Sequence, residues 1–109
     1  METKFNPEQK TLLDDLLLTI PGVKGGKAFG YPAYKVGGRV FAFVAGKGVA
    51  IKLPEEKVKA LIGAHEDMHP FEPGEGVIWR EWVSIRHTLT DDFRQDISLF
   101  EESIQFVAG

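Results

Sequence analysis

The sequence predicts an α+β domain, a two-layer α/β sandwich in which three amphipathic helices cover one face of a single antiparallel sheet. Leucine and isoleucine recur at helical spacing near the start of the chain, and phenylalanine and isoleucine do so near its end. Between them, residues 31–53 alternate with period two, and glycine pairs interrupt the alternation at hairpin intervals. The 109 residues suffice for one core, so residues 1–109 are read as one domain.

Asn6-Pro7-Glu8-Gln9 marks a helix start: Asn6 caps, Pro7 suits the first helical position and Gln9 stands at the capping-box position. Leu12, Leu13, Leu16, Leu17 and Ile20 form its apolar stripe, and Pro21-Gly22 stops it. A glycine-rich connector follows. Residues 31–36 and 39–44 then form a hairpin across Gly37-Gly38, since glycine tolerates the positive φ of a two-residue turn. A second turn at residues 45–48 leads into a third strand, residues 49–53. Pro54, Glu55 and Glu56 open a short helix whose buried side is Val58, Leu61 and Ile62. Residues 63–76, broken by Pro70 and Pro73, read as a loop. Residues 77–79 and 82–85 are two short strands or one bent strand. The last helix begins near Thr90 and buries Phe93, Ile97, Phe100, Ile104 and Val107. The predicted order is α-β-β-β-α-β-β-α.

Composition narrows the function classes. With no cysteine, disulfides, thiolate metal sites and cysteine nucleophiles are excluded. Residues Met1 to Phe5 lack the apolar run of a signal peptide, and no stretch has the roughly 20 apolar residues of a membrane helix. A cytoplasmic location is therefore expected, with no membrane contact. The net charge of −3 conceals a segregation. Between Pro21 and Pro54 there is no acidic residue, and Lys24, Lys27, Lys35, Arg39, Lys47 and Lys52 make that third strongly basic. Residues 55–109 carry twelve acidic and five basic side chains. Such a split marks either an anion-facing surface or basic strands set against acidic helices, with lysines discouraging edge pairing.

Strand alternation separates two sheet faces. With the turn at Gly37-Gly38, Tyr34 is expected opposite Phe41, and Pro32 opposite Phe43. Ala33, Val40, Ala42, Val44, Val49, Ile51 and Leu53 then form the core face. The opposite face carries Tyr34, Val36, Arg39, Phe41, Phe43, Lys52, Trp82 and Arg86. Burying Arg39 and Lys52 unpaired would cost several kcal/mol each, so the aromatic and basic face is expected to be the open one. Exposed aromatics of this kind point to a partner. A protein, including a second copy of the chain, is favoured because the overall charge is negative; single-stranded nucleic acid is the alternative. The segment 63–76 is a further candidate to cover some of the rings.

Motifs for chemistry are weak by comparison. His65-Glu66-Asp67-Met68-His69 matches H-E-x-x-H, in which two histidines one helical turn apart hold zinc and the glutamate activates its water. Gly63 precedes the motif and Pro70 follows it directly, against a continuous helix. The segment is read as a polar loop, with His65, Asp67 and His69 as marginal metal ligands and a metal-dependent hydrolase as a distant alternative. Residues 22–30 imitate a phosphate loop but lack its serine or threonine and join helix to strand; Lys24 and Lys27 remain candidate anion contacts. No serine stands on a glycine elbow, and His87 is read as a surface or capping residue. The expectation is a non-enzymatic interaction domain with no cofactor.

The run Phe29-Gly30-Tyr31-Pro32-Ala33-Tyr34-Lys35-Val36-Gly37-Gly38-Arg39-Val40-Phe41-Ala42-Phe43-Val44, preceded by Pro21-Gly22-Val23, resembles the hairpin of the YjbR (MmcQ)-like and TfoX N-terminal-like families. Ile51-Lys52-Leu53-Pro54, Pro70-Phe71 and Glu81-Trp82-Val83 extend the resemblance over most of the chain. It implies a bacterial α-β(3)-α-β(2)-α domain of the secretion-chaperone-like kind, with DNA-binding or competence-related roles. It brings no catalytic residues.

Overall fold

The structure is a computed structural model and describes residues 5–109. Its first helix, α1, spans Pro7–Leu17 and starts as expected: the Asn6 side chain accepts the backbone N–H of Glu8 at 2.9 Å and of Gln9 at 3.4 Å. Leu12, Leu13 and Leu17 are buried and Leu16 is half-buried, so the leucine stripe faces the core.

Strands β1 (Val23–Ala28), β2 (Tyr31–Val36), β3 (Arg39–Val44), β4 (Val49–Lys52), β5 (Met68–Gly74) and β6 (Val77–Ile85) form one sheet in the order β1-β2-β3-β4-β6-β5. Every neighbouring pair is antiparallel. Helix α2 (Glu55–Ala64) joins β4 to β5, and α3 (Ile97–Ala108) closes the described chain. The expected two-layer α+β sandwich with one antiparallel sheet is present; the strand count differs from five in instructive ways.

Two strands lie where the sequence suggests connectors. The glycine-rich segment is the edge strand β1, with Gly25 opposite Tyr34 and Gly26 opposite Ala33. Glycine's weak strand preference is overridden by a full ladder to β2. The segment expected as a loop contains β5 at the other edge, which tolerates Pro70 and Pro73 because an edge strand leaves one side of its backbone unpaired. Residues 77–85 are one strand, and residues 90–96 precede α3 as a separate 3-10 helix, Thr90–Asp96.

The hairpin turn falls at Gly37-Gly38, with φ of 58° and 78°. Val36 pairs with Arg39 as expected, but the register then shifts. Lys35 pairs with Val40 and Tyr34 with Ala42, leaving Phe41 as an inserted residue on β3. In such a bulge two successive residues answer one on the partner strand, and strict alternation is lost. Phe41 and Ala42 both join the core beneath the helices. The fully buried Ser103 of α3 donates its hydroxyl to the Phe41 carbonyl at 3.1 Å.

The helix-side core contains Leu13, Leu17, Tyr34, Phe41, Val44, Ile51, Ile85 and Phe100, among others. At the turn before β4, a Cβ on Gly48 would lie 2.2 Å from the Ile85 carbonyl oxygen, so only glycine permits this approach to β6.

Candidate functional site

The sheet face away from the helices carries its own apolar cluster. Ala33, Phe43, Ala45, Ala50 and Trp82 are its buried members, and Tyr31, Val40, Phe71 and Trp79 pack around them half-buried. Phe43 is the hub: its ring centroid lies 5.1 to 5.8 Å from those of Trp82, Phe71, Phe29 and Tyr31. Phe43 is fully buried and Trp82 is 8% exposed, so neither stands bare. What solvent meets is the outer ring of the cluster, led by Phe29 at 57% exposure.

Phe29 holds an unusual backbone. Its φ is 55°, followed by 82° at Gly30, which places a bulky residue in the left-handed region at the tip of the β1–β2 hairpin. This turn folds its ring over the sheet, 4.9 Å from Trp79, 5.3 Å from Phe43 and 6.4 Å from Trp82. Trp79 reaches the same face although it stands three residues before Trp82, because the β5–β6 register slips between Pro70 and Phe71.

Phe29 and Trp79 are common to two clefts in this face. The first, about 670 Å³, is completed by Arg39, Val40, Lys52, Glu81, Trp82 and the end of α3 at Phe106 and Val107. The second, about 780 Å³, runs past Tyr31, Lys47, Phe71, Glu72, Glu75 and Arg86. Arg39 and Lys47 are exposed, and Lys52 and Arg86 are half-buried. The Lys52 ammonium lies 5.9 Å from the Trp82 ring centroid, within cation–π range. Among the described residues none of these four cations takes part in an ion pair.

The sequence-derived face therefore divides. Phe43, Lys52, Trp82 and Arg86 lie on it, and Arg39 stands at its rim, where Nη1 donates to the Val107 carbonyl at 3.4 Å. Tyr34 and Phe41 do not: both are buried in the helix-side core. The bulge moves Phe41 across. The Tyr34 hydroxyl donates to the Asp14 carboxylate of α1 at 2.7 Å, and its neutral form is strongly favoured by burial and by that contact. Burial opposes ionisation of Asp14, but hydrogen bonds from Lys10 and Tyr34 and the Lys10 charge outweigh it and hold the carboxyl below its ordinary range. Ala33 and Val40, expected in the main core, lie in the aromatic cluster instead. Val36 packs against the helix-side core.

Apart from His69, which lines the second cleft, the other candidates disperse. Lys24 and Lys27 are exposed on β1, three residues apart on an alternating strand, so they do not converge. His65 ends α2 in extended conformation, Asp67 lies in the turn that follows and His69 is in β5, so H-E-x-x-H is not helical here. Asp67 belongs to a different group. The His87 ring, its side chain 9% exposed, sits between Asp67 (Nδ1 to Oδ2, 2.9 Å) and Asp96 (Nε2 to Oδ2, 2.6 Å), with Phe93 edge-on at 4.6 Å. His87 is thus a half-buried tie between the end of β6, the α2–β5 turn and the start of α3. Burial pushes the Asp96 carboxyl up, against the lowering effect of His87 and His65; Asp67 adds to the rise.

Phe29, Tyr31, Lys47, Phe71 and Trp79 are the members of the surface that strand alternation did not select. Their signal was aromatic density around the hairpin and the tryptophan pair, but the bulge and the folded-over turn that unite them are long-range features. None of the described helices is long and apolar enough to cross a membrane.

The YjbR family model matches residues 18–104, which includes every strand of the sheet. No curated protein and no solved structure matches the chain.

Proposed function

The chain belongs to the YjbR family, and on the surface just described we propose that it is a non-enzymatic binding domain holding a segment of a partner protein on its open sheet face. The observation that carries this reading is the pair of clefts sharing Phe29 and Trp79, each with two cations free of ion pairs among the described residues. Interfaces draw on this combination: aromatic anchors supply buried area, and Arg and Lys at the margin supply orientation.

A protein segment suits the face better than a nucleic acid. Glu81 lines the first cleft and Glu72 and Glu75 the second, so the cations stand at two separate places among carboxylates, a pattern that a continuous line of phosphates does not match. The aromatic rings also meet one another at interplanar angles of 49° to 65° around Trp79, leaving few flat faces there for base stacking.

Selection from a random dodecapeptide library on the immobilised protein tests the reading. Peptides are expected to enrich and to lose binding to Trp79→Ala, whose melting temperature is compared with that of the parent. Failure to enrich any peptide, or equal binding to Trp79→Ala, would overturn it. Oligothymidine binding lost in Arg39→Glu/Lys52→Glu, without peptide binding, would replace it with the nucleic-acid alternative. Concentration-dependent dimerisation in light scattering that Trp79→Ala abolishes would identify the partner as a second copy.

A further inference from the structure

We infer that the segment held on this face is extended and acidic, with two carboxylates four residues apart flanking an apolar side chain. The inference rests on the binding reading above and specifies its occupant.

The spacing comes from the sheet. Lys52 is the register partner of Trp82, and its ammonium lies over that ring, so one cationic end of the groove is fixed at the level of Trp82. Arg39 lines the same cleft. Four residues after Trp82, one residue beyond the end of β6, is Arg86, which lines the second cleft together with Ser84; its Nε donates to the Ser84 hydroxyl at 3.4 Å. Lys47 lines the second cleft with Arg86. Four residues of strand rise span about 13 Å.

An extended peptide laid along β6 has the same rise. Its residues i, i+2 and i+4 then face the groove together, and the carboxylates of i and i+4 arrive at the two cationic ends. Residue i+2 falls between them at the level of Ser84, Ala50 and Phe43, beside the exposed Phe29 ring that packs on Phe43. A spacing of three or five would turn one carboxylate away from the sheet. Glu72 and Glu75 on the outer side of the second cleft repel a displaced acidic chain and keep it over β6.

Pairing by the exposed β-edges is a weaker route to a partner. Edge strand β5 contains Pro70 and Pro73, and β1 carries Lys24 and Lys27, both features that discourage strand addition. Side-chain capture on the open face does not require a free edge.

Fluorescence anisotropy with three labelled synthetic peptides tests the inference on the full chain. The first contains glutamate-serine-phenylalanine-serine-glutamate between glycines, the second has one serine removed, and the third has glutamine for both glutamates. The first should bind about tenfold more tightly than either of the others. Arg39→Glu and Lys47→Glu, exposed substitutions at opposite ends of the groove, should each weaken the first peptide about tenfold, with the melting temperature of Lys47→Glu unchanged. Equal binding of the first and third peptides, or no binding of the first, would overturn the inference. If the peptide library still yields Trp79-dependent binders lacking an acidic pair, the binding reading stands and only this occupant is wrong.

Discussion

The hydroxyl of buried Ser103 donates to the carbonyl of Phe41 at 3.1 Å, joining α3 to the residue inserted by the β3 bulge. Bulges leave a backbone group without its ladder partner, and a buried carbonyl must find another. The contact therefore supports the irregularity that sends Phe41 into the helix-side core and leaves Phe43 to the opposite face. Ser103→Ala should lower stability by about 1–3 kcal/mol, the range for leaving a buried acceptor unsatisfied. Ser98→Ala, exposed on the same helix, should change it by less than about 0.5 kcal/mol. Urea denaturation of the two variants side by side makes the check; equal effects would mean that the hydroxyl does not support the bulge.

His87 offers a test with a pH signature. Both ring nitrogens lie within hydrogen-bond distance of a carboxylate oxygen, and of the two carboxylates only Asp96 is nearly buried. His87→Ala leaves the Asp96 carboxyl, nearly buried, without its hydrogen-bond partner and should cost about 1–3 kcal/mol at pH 7. The Asp96 carboxyl is raised from its ordinary value of 3.8, so its proton is held more tightly in the folded chain. Its linkage contribution is fully present below 3.8 and is lost as the pH rises through the higher folded value. The deficit of His87→Ala should accordingly shrink in acid, and adding Asp96→Asn should recover part of it at pH 7. Urea midpoints at pH 7 and near pH 4 measure both; a deficit independent of pH and of Asp96→Asn would show packing loss alone.

Phe29 separates turn strain from surface function. Asparagine accepts the left-handed conformation that a phenylalanine adopts at a penalty of about 1–2 kcal/mol. Phe29→Asn relieves that strain while removing a mostly exposed ring, so its melting temperature should stay close to the parent's. Phe43→Ala, at the buried hub of the same cluster, should cost about 3–5 kcal/mol. Peptide affinity should nevertheless fall with Phe29→Asn, because the wall between the two clefts is gone. Thermal melts paired with anisotropy titrations separate the outcomes: a large stability loss with affinity intact would make Phe29 a structural residue only.

Local chemistry in the sequence was enough to determine the helices, the glycine turn, most of the sheet and the two-layer arrangement. Asn6 and Pro7 define a helix start wherever they fold, Gly37 and Gly38 supply a positive-φ turn, and the leucine stripe of α1 has one side to bury. Alternation also placed Phe43, Lys52, Trp82 and Arg86 on the open face, and the hairpin residues resembled the family that the chain proves to match.

Only the tertiary structure decided the rest, because each remaining feature depends on a partner distant in the chain. The edge positions of β1 and β5 make strands of segments whose glycines and prolines argue against them. Asp14 draws Tyr34 inward from twenty residues away, and Ser103 supports the bulge at Phe41 from sixty-two. A one-residue insertion in a ladder reverses the facing of the side chains beyond it, and no local propensity records where the ladder yields. The open face exists because the helices cover the other side; its occupants were fixed by that bulge and by the turn that folds Phe29 onto Trp79.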